Sequence, residues 1–322
     1  MASILAYCFA VLKNAIYGTT IFFTGTLSAT VDVLDILALR FLMSLVVFWL
    51  LKVTRVVKIN VGVVDFFRRG PRAAAMKSVL LTALFEPVLY MLFETLGISM
   101  TSGITAGVIL SLSAVTSCIF EILILKENST LLQKFFLALG IFGAIYIAVN
   151  ANADSGKDTP LGILFILLTV IAGSLFSTFS RKSSKSFSAM EITYVSCMLG
   201  AIIFNAVNVV RHLIVGDILH YFDPYFDPAN LVGFFVLAIL STIIATCMNN
   251  FALSKMQAST MAAFGGISTL VTVVVSVWLG GEVLYPYHFI GFSFILIRMV
   301  GVSVIAIRRD RARANAAPPP QE

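Results

Sequence analysis

The sequence predicts an all-α membrane protein in which ten transmembrane helices form two inverted five-helix repeats. Three observations carry that prediction: long apolar runs, a lopsided distribution of basic residues, and matching residues at a fixed offset. Hydrophobic residues make up 59% of the 322 positions and charged residues only 12%, with a mean hydropathy of +0.98. A soluble domain carries about 25% charged residues, so this chain has too few to wet a globular surface. Its apolar runs have the length of about 20 residues that a helix needs to cross a hydrocarbon core. Lipid offers the backbone no hydrogen-bond partners, so each run must be helical.

The runs place helices at about residues 3–23, 35–53, 78–98, 103–125, 132–150, 160–179, 189–210, 231–252, 258–280 and 287–307. The first carries Lys13-Asn14 in its middle and has no basic segment ahead of it, unlike a cleaved signal peptide. The third follows the longest basic gap, from Lys52 to Lys77, and holds Glu86-Pro87. A proline there removes a backbone donor, so a kink is expected beside the carboxylate. The fourth contains Gly103 and Gly107 at a spacing that permits close packing, and Glu127 follows its end. Residues 151–159, where Asp154, Gly156 and Asp158 and the following Pro160 are turn formers, are expected to form an external linker that divides a first repeat (3–150) from a second (160–307). In the second repeat, Asn205 and Asn208 lie on the seventh helix, Asn249-Asn250 on the eighth and Arg298 on the tenth. Residues 308–322 are basic, then Ala/Pro-rich, and are expected to be a disordered cytoplasmic tail.

Of the 22 Lys and Arg residues, Lys13, Arg40 and Arg298 fall within helices. With the N-terminus in the cytoplasm, 17 of the other 19 face inside and only Lys157 and Arg211 face outside. Both termini are therefore expected in the cytoplasm. At an offset of 155, Glu94, Ser99, Thr105, Ser113 and Glu127 fall on Asn249, Ser254, Thr260, Ser268 and Glu282. Five helices is an odd number, so the second half enters the membrane upside down, an arrangement common in transporters.

Several segments resemble the EamA-type drug/metabolite transporter superfamily of ten-helix permeases. They are Phe93–Ala106, Leu125-Lys126-Glu127 with its echo Leu279–Glu282, Arg40-Phe41, and Ile290-Gly291 followed by Gly301. Tyr17-Gly18 stands where the family often has Trp-Gly, Ala114 where a proline is common, and Arg298 where a small residue is usual. The resemblance implies a secondary transporter in a cell membrane, plasma or bacterial inner. It also implies export of small metabolites or amphiphiles such as amino acids, by alternating access around a central polar cavity.

Charges inside the membrane mark the candidate site, since each costs about 2.5–3.5 kcal/mol at the centre of a helix. Lys13, Glu86, Glu94 and Asn249 are the candidate substrate-binding residues, Asn249 because it occupies the repeat position of Glu94. Lys13 and Glu86 either face a water-filled cavity or pair with each other to hold two helices together. Glu86 and Glu94 are the candidates for carrying a coupled proton. Arg40 is expected to snorkel or pair with Asp35, Arg298 to be structural, the other asparagines to join helices, and Glu127 and Glu282 to be turn elements. Aromatics of Tyr221–Pro228 suit a membrane-interface belt.

No GxxxxGK[ST] loop, HExxH or GxSxG motif is present, so neither nucleotide hydrolysis nor an intramembrane enzyme is expected. No cofactor or metal is implied. The four cysteines read as small hydrophobes, and His212, His220 and His288 as unclustered residues near the outer surface. The basic residues sit between apolar runs, where headgroups explain them better than nucleic acid does. The expected partners are a small-molecule substrate and the lipid bilayer. The rival reading is a non-transporting receptor or assembly subunit.

Overall fold

The computed structural model describes residues 2–55, 57, 59, 71–120, 123–124, 130–154, 158–256, 261 and 264–316. Every regular element among them is helical. In chain order they are α1 (Ala2–Ser28), α2 (Val33–Val53), α3 (Pro71–Ala83), α4 (Tyr90–Ser99), α5 (Gly103–Leu110), α6 (Ser113–Phe120) and α7 (Leu131–Asp154). There follow α8 (Pro160–Ser183), α9 (Ala189–Val215), α10 (Asp223–Phe226), α11 (Pro228–Phe235), α12 (Thr246–Lys255), α13 (Gly265–Trp278) and α14 (Pro286–Ala316). Two π-helical segments, Leu84–Leu89 and Val236–Ala245, join α3 to α4 and α11 to α12.

The helix ends follow from local chemistry. Asp32 caps α2 by accepting from the Leu34 amide at 2.9 Å. Thr159 caps α8 at the Gly162 amide (3.0 Å), just ahead of Pro160. Ser188 and Glu191 form a capping box on α9, which stops at Gly216 in a left-handed conformation (φ 84°).

Among the described residues, six helices are long and apolar enough to cross a membrane: Leu5–Ser28, Val33–Val53, Met76–Ser99, Pro160–Ser183, Ala189–Val215 and Pro228–Lys255. Gly265–Trp278 and Pro286–Val302 are apolar but shorter. Six, not ten, therefore meet that measure. One reason is that the run at 103–125 is broken by a turn at Ser111-Leu112, so α5 and α6 are each 8 residues long. Arg298, fully buried, donates to the Ser111 carbonyl at this break and lies against Gly140 of α7. It thus partners a carbonyl at a point where the helix turns. Two boundaries also move: α7 continues to Asp154, into the expected linker, and α14 continues to Ala316, into the expected tail.

Packing exchanges the halves. α1 lies against α12, α13 and the Val236–Ala245 segment of the second half, while α8 lies against α3, α4, α5 and α6 of the first. α2 pairs with α9 and α7 with α14. Trp49, Leu131, Ile214 and Trp278 are exposed, whereas Arg40, Asn250 and Thr272 are fully buried. Apolar side chains on the outside and hydrogen-bonded polar ones within suit a lipid environment. Among these joints, Asn205 donates to the Ala38 carbonyl (3.0 Å), Thr272 to that of Gly18 (3.1 Å), and Asn250 links Ser180 and Thr193 (2.7 and 2.9 Å). The Tyr221–Pro228 segment, expected as an interface belt, turns two of its tyrosines inward. Tyr221 is buried with its hydroxyl on Asn205 (2.6 Å), and Tyr225 donates to the Leu39 carbonyl.

Candidate functional site

A polar cavity lies between the halves, enclosing about 100 Å³. Lys13, Asn14 and Tyr17 of α1 line it, with Glu86, Tyr90 and Glu94 from the third apolar run, Asn249 of α12, and serine and threonine side chains of α6, α8 and α13. All four candidate binding residues, Lys13, Glu86, Glu94 and Asn249, therefore share one cavity wall.

Each is delivered by a recognisable device. Lys13 is buried in α1 with its ammonium 4.9 Å from the centroid of the Tyr17 ring, one turn on, in cation–π contact. Glu86 sits where the helix breaks: its backbone is extended (φ −139°, ψ 116°) just before Pro87. The expected kink is thus a π-helical segment with the carboxylate at its irregular point, a geometry frequent at functional sites. Glu94 is buried and accepts from the Tyr90 hydroxyl through Oε1 at 2.9 Å. Asn249 faces the cavity across the repeat boundary.

Lys13 and Glu86 are not a structural ion pair. No salt bridge within 4.0 Å joins Lys13 to either carboxylate among the described residues, although Lys13 and Glu86 are close enough to interact electrostatically. A buried charge without a partner is costly, which keeps both groups candidates for contact with an exogenous one.

Two residues were misread from the sequence. Arg40 neither snorkels nor pairs with Asp35. It is fully buried, and its Nε and Nη2 donate to Thr242 Oγ1 (2.7 Å) and Ser241 Oγ (3.0 Å). These hydroxyls belong to the second π-helical segment. The offset of 155 carries residues 84–89 to 239–244, inside Val236–Ala245, and sets Ser241 at the position of Glu86. A π-helical segment therefore occupies matching positions in both halves, with the extended residue and the proline only in the first. Glu282 is more than a turn element: its carboxylate caps α5, accepting from the amides of Gly103 (3.0 Å) and Ile104 (3.2 Å). Asp158 joins it there through Ser102 N (2.6 Å) and Thr105 Oγ1 (2.8 Å). Glu127 lies outside the described residues. Glu282 also lines a second cavity of about 440 Å³ with Thr26, Ser102 and Ser276, and Ile21 borders both cavities.

Comparison with known proteins locates this architecture. Residues 4–149 and 160–304 each match the EamA-like transporter family. The chain is 30% identical over 299 residues to the uncharacterized transporter YcxC of Bacillus subtilis, covering 93% of both chains. A protein of known crystal structure shares the fold with a TM-score of 0.61 at 17% identity, over 96% of this chain and 98% of the other.

Proposed function

The chain belongs to the EamA-like transporter family, and we propose that it is a secondary transporter, exporting small metabolites or amphiphiles such as amino acids by alternating access around the Lys13–Glu86 cavity. One observation carries the reading: Lys13 and Glu86 share the cavity with no salt bridge between them. A ligand with an anionic and a cationic group satisfies both at once, its carboxylate on Lys13 and its ammonium on Glu86 or Glu94. Tyr17, Tyr90 and Asn249 add hydrogen bonds, and Phe176 an apolar wall. Family members of this kind do not perform enzymatic chemistry, and no step here requires any.

Ten crossings, with both termini in the cytoplasm and a cell-membrane location, complete the topology. The exchanged packing of α1 and α8 supports two inverted halves that can rock about the cavity. Glu86 and Glu94 are the groups to take up a coupling proton.

Reconstituted proteoliposomes test the proposal. Saturable flux of a labelled amino acid is expected, responsive to an imposed proton gradient and absent from Lys13→Ala. Folded protein that moves no amino acid, nucleoside, sugar or cationic amphiphile would overturn it in favour of a non-transporting receptor. A tag in the 151–159 linker reachable only from the cytoplasm would overturn the topology.

A further inference from the structure

Lys13, Tyr17, Ile21 and Gly25 of α1, with Ala29 just past its end, are spaced four apart and so lie along one face. Every member of this row lines a cavity. Lys13, Tyr17 and Ile21 border the central one, and Ile21, Gly25 and Ala29 the second. The row rises about 24 Å, most of a hydrocarbon core of about 30 Å. Ile21 is the one residue among the described ones that lines both spaces.

The two spaces meet at apolar side chains. Ile21 is buried in a cluster with Ile98 of α4, Ala106 and Ile109 of α5, and Ile166 and Val170 of α8. Ile98 lines the second cavity and Val170 the central one, so the cluster lies between them. Ile98 is also close to the α1 row: a Cβ on Gly25 would stand 3.5 Å from its Cγ2. In the other direction along α1, Ala6 and Ala10 are packed in a separate cluster with Leu253 and Met256, which the central cavity meets at Phe176 and Met261. The structure thus offers space beyond Ile21 and packed side chains beyond Lys13.

We propose that Ile21 is the gate residue of the transport route, its side chain closing the passage from the central cavity to the second cavity, which is the release vestibule. This rests on the central cavity being the binding site. An apolar constriction excludes water and polar solutes until its side chains part. Isoleucine has little χ1 freedom within a helix, so the passage opens when α1 shifts against α4 and α5, which it touches, and not by a swing of the side chain alone.

The test measures how fast a bulky, hydrophilic methanethiosulfonate modifies single cysteines in detergent, in protein whose Cys8, Cys118, Cys197 and Cys247 are replaced by alanine. Ser268→Cys reports on the central cavity and Thr26→Cys on the second. With Ile21 present, Thr26→Cys is expected to react quickly and Ser268→Cys slowly. Ile21→Ala is expected to speed Ser268→Cys at least about tenfold and Ile21→Val about fourfold, following the apolar carbons removed, with Thr26→Cys unchanged. Equal rates at the two positions while Ile21 is present, or a Ser268→Cys rate that ignores Ile21, overturn the proposal. So does a rise at both positions together, which marks general loosening. If Ile21→Ala does not fold, the smaller change Ile21→Val decides by the same criteria. The labelling needs no ligand, so absence of leucine flux from the wild-type protein counts against the proposed function and not against the gate.

Discussion

Two polar clusters in this molecule, one partly exposed and one lining the central cavity, treat the same residue types differently. At the ends of α2 and α9, every charge has been given a partner. Asp35 accepts from Asn208 and from His212 Nε2 through Oδ1 (both 2.8 Å) and from Arg211 through Oδ2 (2.8 Å). Arg211 also pairs with Asp32, and the other ring nitrogen of His212 meets Asp217 (2.8 Å). Around the central cavity, Lys13 and Glu86 have no ion-pair partner among the described residues, and Glu94 has only a tyrosine hydroxyl. Pairing, rather than burial, therefore distinguishes the two clusters: the first pairs its charges internally, and in the second no salt bridge does so among the described residues.

That comparison is sharpest where a side chain can be removed without refolding the rest. Lys13→Ala and Glu86→Gln should each lower ligand affinity by at least about thirtyfold, the low end for losing a buried charged contact, with little change in melting temperature. A paired Lys13 would give the reverse. His212→Ala and Asp35→Asn should cost about 1–3 kcal/mol of stability, since each removes charge-assisted hydrogen bonds from a cluster whose remaining members keep other partners, with ligand affinity unchanged in the folded fraction. Thermal unfolding and calorimetry on the same preparations check both. Gly18→Ala is expected to cost about 1–3 kcal/mol by overpacking, because its new Cβ would lie 2.6 Å from both the Ser268 carbonyl and Val271 Cβ where α1 crosses α13. The smallest effect is expected from Glu282→Gln, which removes a negative charge from the α5 N-terminus: about 0.3–1 kcal/mol, visible as a modest drop in melting temperature.

The sequence reading reached the cavity but not its surroundings, for physical reasons. Lys13, Glu86 and Glu94 were legible because a charge in the middle of an apolar run is expensive wherever the run lies. Asn249 was legible through the repeat. Arg40 was not, because its position along α2 suggested an escape to the surface, while its hydroxyl partners come from 201 and 202 residues away. His212 looked isolated for a similar reason: Asp35, which meets it, is 177 residues distant. The two π-helical segments left no mark beyond Pro87, since Val236–Ala245 contains no proline. Helix lengths erred by under-extension at polar ends, as at Arg211 and His212, which continue α9 to Val215.

The most direct measurement is flux and melting temperature on one reconstituted preparation of Lys13→Ala beside wild type. Flux is expected to be lost while the melting temperature stays within the spread of wild type. Retained flux, or a melting temperature that falls as far as that of His212→Ala, would contradict it, because Lys13 would then be a structural partner and not a ligand contact.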